Sequence, residues 1–276
     1  MSQPIIMHVD VHEWIKLLLR WGHVFASILW VGTTYFFTWL DGRFNELEAN
    51  SQKAATEKAD QRVWMVHSGG FYLVEKQKSP SVMPGKLHWF RWEAAITWIT
   101  GLLLFMMVYY EGKLLVEFDS SRITHRQAML LSAVLLILGW VAYDLLWKFV
   151  LSAHEKLGAA FCYLLIVSTT YGLFQFFAAR AACLQLGAMF GTIMTANVWM
   201  RILPAQRRMV RALAEGRAPD LTEGMRAKQR SKHNTFIVIP VVFLMLSYHF
   251  PETYRWQIVS ILVLVGWLAA AVLRRA

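Results

Sequence analysis

The sequence predicts an all-α fold: a polytopic membrane helix bundle of seven transmembrane helices, N-terminus outside and C-terminus inside. Three observations predict it. Seven long apolar runs fill most of the 276 residues. Hydrophobic residues make up 57% of the chain and charged residues only 17%, against roughly 25% charged in soluble domains. The basic residues gather between the runs, and mean hydropathy is +0.39. Residues 1–276 read as a single membrane domain with two long inner loops, 41–86 and 201–233. The net charge of +10 does not point to nucleic acid, because Lys and Arg placed in loops set topology. The partner surface is the lipid bilayer.

The N-terminus carries Asp10 and Glu13 and no basic stretch ahead of an apolar core, so it is not a secretory signal and the first span directs insertion. A spanning helix takes about 20 mostly apolar residues. Trp21–Leu40 qualifies, as does Leu87–Tyr110 with its polar start, His88, Arg91 and Glu93, near the interface. Ala128–Trp147 follows and carries Asp144, which is expected to pair with Lys148 one turn on. Leu157–Met200 is interrupted only by Arg180. As one helix it would be roughly 66 Å long, about twice the hydrocarbon thickness, so it folds as two helices with a tight turn near Arg180. Thr235–Phe250, closed by Pro251, and Trp256–Leu273 complete the set.

Charge orients the bundle. With the C-terminus inside, the inner segments hold 21 of the 28 Lys and Arg, the asymmetry that marks cytoplasmic loops. The multi-pass chain is therefore placed in a bacterial inner membrane. In the first inner loop, Asn45–Arg62 reads as a surface helix. His67-Ser-Gly-Gly-Phe-Tyr-Leu-Val-Glu-Lys then reads as a turn with short extended arms, ahead of Ser79-Pro-Ser-Val-Met-Pro-Gly. The second loop, Pro204–His233, is basic and can form a helix at headgroup level. It serves either anionic-lipid attraction and topology or the attraction of an anionic substrate. Cys162 and Cys183 lie inside apolar runs and read as free buried thiols. Neither belongs to a CxxCH, so no covalent haem c sits on this chain.

Histidines fall at two depths. His23, near the start of the first span, and His249, at the end of the sixth, lie toward the outer face. Two imidazoles from different helices at one level are the ligand set of a six-coordinate, non-covalent haem b; the alternative is that each makes an interfacial hydrogen bond. Small Gly22 and Ala26 beside His23 leave room for a flat macrocycle. His67, His88 and His233 face the cytoplasm, with Arg91 close to His88. On a helix, His88, Arg91 and Trp92 share a face while Glu93 is turned about 100° away. This inner group either binds an anion, moves protons or ligates a metal, or else anchors the helix end. Asn197 and Gln175 are expected to hydrogen-bond between helices, and Gly187 and Gly191 form a GxxxG packing pattern.

Several ordered motifs together resemble the membrane-bound, cytochrome c-linked urate hydroxylase (urate oxidase N-terminal domain) family. They are Leu19-Arg-Trp-Gly-His-Val-Phe-Ala-Ser-Ile-Leu-Trp-Val-Gly, His67-Ser-Gly-Gly-Phe-Tyr, Leu87-His-Trp-Phe-Arg-Trp-Glu-Ala, Gly187-Ala-Met-Phe-Gly-Thr-Ile-Met-Thr-Ala-Asn-Val, Gln229-Arg-Ser-Lys-His-Asn-Thr-Phe and Leu244-Met-Leu-Ser-Tyr-His-Phe-Pro. The resemblance implies oxidation of urate to 5-hydroxyisourate with electrons passed to cytochrome c. Family members typically add a final span and a C-terminal cytochrome c domain. Either a separate cytochrome c or respiratory complex accepts the electrons here, or the chain is part of a longer one, or the protein does something else. In the enzymatic reading, His67, His88, Arg91 and His233 bind urate and manage its protons. Electrons then leave through haem b between His23 and His249. The competing class is a non-catalytic haem-b electron-transfer or structural subunit of a respiratory membrane complex. A transporter ranks third, lacking broken helices at mid-membrane.

Overall fold

The computed structural model describes residues 10–53, 61–77, 80, 84–117, 122–151 and 154–274. Its helices are α1 (Val11–Lys53), α2 (Trp92–Phe105), α3 (His125–Phe149), α4 (Glu155–Phe176), α5 (Ala179–Ala196), α6 (Leu203–Ala214), α7 (Leu221–Leu246) and α8 (Trp256–Leu273). A hairpin of β1 (Arg62–His67) and β2 (Gly70–Glu75) lies between α1 and α2. Two π-helical segments, Met106–Glu111 and Asn197–Ile202, continue α2 and α5. The result is an all-α bundle carrying one small hairpin. Six helical stretches are long and apolar enough to cross a membrane. α7, which carries the expected sixth span, has a charged inner half with Arg226, Lys228, Arg230 and Lys232.

The long run 157–200 does break into two helices, and the turn falls at Phe177–Ala178, two residues before Arg180. There Ala178 N–H donates to Leu115 O, tying the turn to the α2–α3 connection. The first helix differs from expectation at both ends. It begins at Val11, and Trp14, Ile15, Leu17, Leu18 and Trp21 extend its exposed apolar surface outward. Inward it runs unbroken through Asn45, so no separate surface helix begins there; residues 54–60 and most of Ser79–Gly85 lie outside the described residues. The hairpin turns at Ser68 (φ 50°) and Gly69 (φ 74°). Both central residues are left-handed, which is why a Gly is needed there. One hairpin face packs Val63 against Leu40 and Phe44 of α1.

α5 is the buried centre, enclosed by α2, α3, α4 and α7. Inside a bilayer a helix offers its neighbours little hydrophobic advantage over lipid. Close backbone approach and interhelical hydrogen bonds carry the packing instead. Both are present. A Cβ on Gly187 would lie 3.0 Å from Met245 Cε and 3.3 Å from Leu244 Cβ, so α5 and α7 touch where the GxxxG pattern expects, although Gly191 faces open space. Fully buried Gln185 accepts from Ser132 Oγ (2.6 Å) and donates to Ser132 O (3.1 Å). Tyr110 adds a bond to the same hydroxyl (2.9 Å). Gln175 makes no hydrogen bond among the described residues. Cys162 and Cys183 are free.

Asp144 does not pair with Lys148, whose ammonium sits over Phe149. Its buried carboxylate is held by two arginines from other elements. Arg201, in the second π segment, donates from Nε (2.8 Å) and Nη2, and Arg230 of α7 donates from Nη2 (2.9 Å). Local spacing favoured a partner one turn away. Burial overrides it, because a carboxylate 3% exposed needs charged partners that share its low-dielectric site. Asp144→Asn is therefore expected to lower stability by about 3 kcal/mol, read as a lower midpoint of denaturation in lipid nanodiscs. Lys148→Gln should cost less than about 1 kcal/mol.

Candidate functional site

The end of the bundle formed by the second half of α1 and the N-terminal half of α7 holds a cleft of about 710 Å³. Three departures from simple spanning helices create it. α1 continues past its apolar run, α7 starts well ahead of its own at Leu221, and residues 87–91 approach α2 without being helical. The cleft opens between these elements and the π segment after α5. Its lining mixes aromatic rings (Trp30, Phe37, Trp89, Phe90) with hydroxyls and amides (Thr34, Thr38, Asn45, Gln206, Asn234, Thr235). Its charged members are Asp41, Glu93, Glu155, Lys228, Lys232 and Arg274.

The four inner-face residues singled out from the sequence do not share one place. His88 lines the cleft, exposed and edge-on to Phe90 at 4.5 Å. α2 starts only at Trp92, so His88 and Arg91 precede it and do not share a helical face with Trp92. Arg91 instead lies over the rings of Trp92 and Trp199. His67 is at the exposed end of β1, with Nδ1 2.8 Å from Ser68 Oγ. His233 is not among the residues lining the cleft; its ring lies tilted against that of Trp147, centroids 4.2 Å apart.

His233 belongs to a polar network that does reach the cleft. Asn197 Nδ2 donates to Tyr143 Oη (3.1 Å) and to Asn234 Oδ1 (3.0 Å). Since the Tyr143 oxygen already accepts from Asn197, its own proton points to His233 Nδ1, 2.7 Å away. Asn234 Nδ2 donates to Met194 O (3.0 Å), and this residue lines the cleft. Arg230 lies over the Tyr143 ring at 4.8 Å. Asn234, Lys228 and Glu93 were within reach of sequence reasoning. Two of them stand in motifs that carried the resemblance, while Lys228 was read only as one charge of a basic loop suited to lipid or to an anionic substrate, Arg274 as a topology charge, and Glu93 was set apart by helical phase.

The second pair lies on α1 and the turn after α7. His23 Nδ1 donates to Thr97 O at 2.9 Å, and its ring lies against Gly101, where a Cβ would come within 2.7 Å of Cε1. A neutral imidazole donating from Nδ1 presents its Nε2 lone pair outward, the orientation of a metal-ligating histidine. His23 sits deeper than its sequence position suggests, because Gly101 is midway along Trp92–Glu111. His249 is exposed, edge-on to Tyr248 at 5.0 Å. α1 and α7 run antiparallel with Thr38 opposite Thr235 and Tyr35 bonded to Thr235 O. Between the same two helices runs an apolar cleft of about 430 Å³, lined by Val31, Val242, Phe243, Leu246 and Phe250 among others. Neither His23 nor His249 is among the residues that line this cleft, and the His23 ring lies instead against α2. Among the described residues, no group of three or more His, Cys, Asp or Glu is arranged to hold a bare metal ion.

A profile of the family described as Urate oxidase N-terminal matches residues 9–276. No curated protein and no solved structure matches the chain. The His23–Gly101 contact gives a direct test of packing. Gly101→Ala should destabilise the protein by about 1–3 kcal/mol despite its higher helix propensity. Gly191→Ala, in open space, should change stability by no more than about 1 kcal/mol in either direction. Unfolding midpoints in nanodiscs decide both.

Proposed function

This chain belongs to the urate oxidase N-terminal family, and from that premise we propose that it is a membrane redox protein oxidising urate to 5-hydroxyisourate. In this reading the seven helical segments cross a bacterial inner membrane with the N-terminus outside. The basic inner face draws in the urate anion, and the inner cleft binds it. His23 and His249 would hold a haem b, which would supply an electron path to a separate cytochrome c or respiratory complex on the outer side.

One observation carries the reading: a cleft suited to a flat polar anion adjoins the histidine suited to a haem. Trp30, which lines the cleft, follows His23 by about 10 Å along α1, and Glu93, also in the cleft, precedes Thr97, the partner of His23, by one turn of α2. The aromatic rings offer faces for a planar heterocycle. Asn234, its amide bonded to Met194 O and Asn197, is held rigid beside the bound ring, and Thr34 and Thr38 add hydroxyls. His88 stands at the cleft edge, where it can exchange protons with solvent. Thr97 fixes the tautomer of His23. Haem b, when bound, supplies a one-electron acceptor and a path outward.

The protein purified in nanodiscs should carry a b-type haem spectrum that urate reduces under anaerobic conditions. His23→Ala should abolish the reduced-haem absorbance, and His249→Ala should abolish or shift it. Unchanged spectra in both variants reject the ligand pair. A haem that urate leaves oxidised would favour a non-catalytic electron-transfer subunit.

A further inference from the structure

We infer that Glu93 is the proton acceptor of the inner cleft and that Lys228 with Arg274 holds the substrate's negative charge, so that the cleft selects a planar heterocyclic monoanion bearing an acidic N–H. This deepens the urate reading and rests on it.

The argument is the charge balance of the cleft wall. Three carboxylates line it. Asp41 is bonded to Lys76 Nζ at 2.7 Å. Glu155 is bonded to Lys232 Nζ at 2.6 Å and to Gln229 Nε2 at 3.3 Å. Glu93, half-buried in the first turn of α2, has no hydrogen bond or ion pair among the described residues. The cations divide the same way. Lys232 is neutralised by Glu155, while Lys228 has no carboxylate partner among the described residues. Arg274 lies over Phe236 at 5.4 Å and has a buried Nη1 with no hydrogen-bond acceptor. The wall therefore presents two uncompensated cations and one uncompensated carboxylate. A monoanion satisfies the cations, and a carboxylate left free beside an anion earns its place only if the ligand has a proton to give. The other ionisable group facing the cleft is His88, at the rim.

The step balances. The urate monoanion gives one N–H proton to the Glu93 carboxylate and two electrons, one at a time, to an acceptor of the haem class. This leaves neutral dehydrourate. Water then adds across it, forming the C5–O bond and returning its other hydrogen to ring nitrogen, which yields 5-hydroxyisourate.

The test uses haem-loaded protein in nanodiscs. Binding of radiolabelled urate is measured by equilibrium dialysis with the haem already reduced. Haem reduction at saturating urate is followed by stopped flow. Glu93→Gln should keep the urate Kd within about threefold of wild type and slow reduction by about 100-fold or more, the range of general-base catalysis. Glu93→Ala should be slow in the same way and recover rate in proportion to added formate, which a structural role would not produce. Lys228→Met should raise the Kd by about tenfold and leave the saturated rate within about threefold. Wild-type reduction rates in Glu93→Gln, or no formate rescue in Glu93→Ala, overturn the role of Glu93 and leave the urate reading standing. Unchanged affinity in Lys228→Met overturns the anion anchor. Wild-type protein that binds no urate overturns both the inference and the reading beneath it.

Discussion

A single carboxylate with two arginines fixes the cleft-bearing half of this bundle. Asp144 projects from α3 into a site where it is 3% exposed, so its charge must be met by groups buried with it. Arg201 approaches from the π segment after α5, and Arg230 from α7. The triad is net positive, and the face of Tyr143 takes up part of the excess by lying under Arg230. Three elements distant in sequence are thereby held at one axial level. Once they are aligned, Asn197 meets Asn234 and Tyr143 meets His233 without further adjustment.

That alignment also shapes the cleft. Asn234, fixed by the same network, forms part of its wall, and the π segment that supplies Arg201 also supplies Val198 and Ile202 to the lining. A π segment widens one turn of the helix and rotates the residues after it. Here it turns Asn197 toward α7 and Arg201 toward α3 in successive turns. α2 brings Glu93 to the cleft and, one turn later, Thr97 to His23. The cleft and the His23 position thus share α1 and α2.

Much of the site was legible in the motifs and little of it in the roles given to individual residues. His88 and Glu93 stand together in Leu87–Ala94, but helical phase assumed from Leu87 separated them. The chain in fact reaches α2 in irregular form and turns helical only at Trp92, and His88 and Glu93 both line the cleft while Arg91 turns to Trp92 and Trp199. Asp144 was assigned to Lys148 because only sequence-local partners can be seen in a sequence. The partners it has lie 57 and 86 residues away.

By itself the sequence determined the apolar segments, a break near Arg180, a turn with extended arms at the paired glycines after His67 and the free state of both cysteines. Each of these follows from local length, hydropathy or backbone conformation. Only the tertiary structure decided which charges are neutralised. Asp41, Glu155 and Lys232 meet charged partners from other elements, while among the described residues Glu93, Lys228 and Arg274 do not. Neutralisation depends on distances of a few ångströms between residues far apart in the chain, and helix packing alone sets those distances.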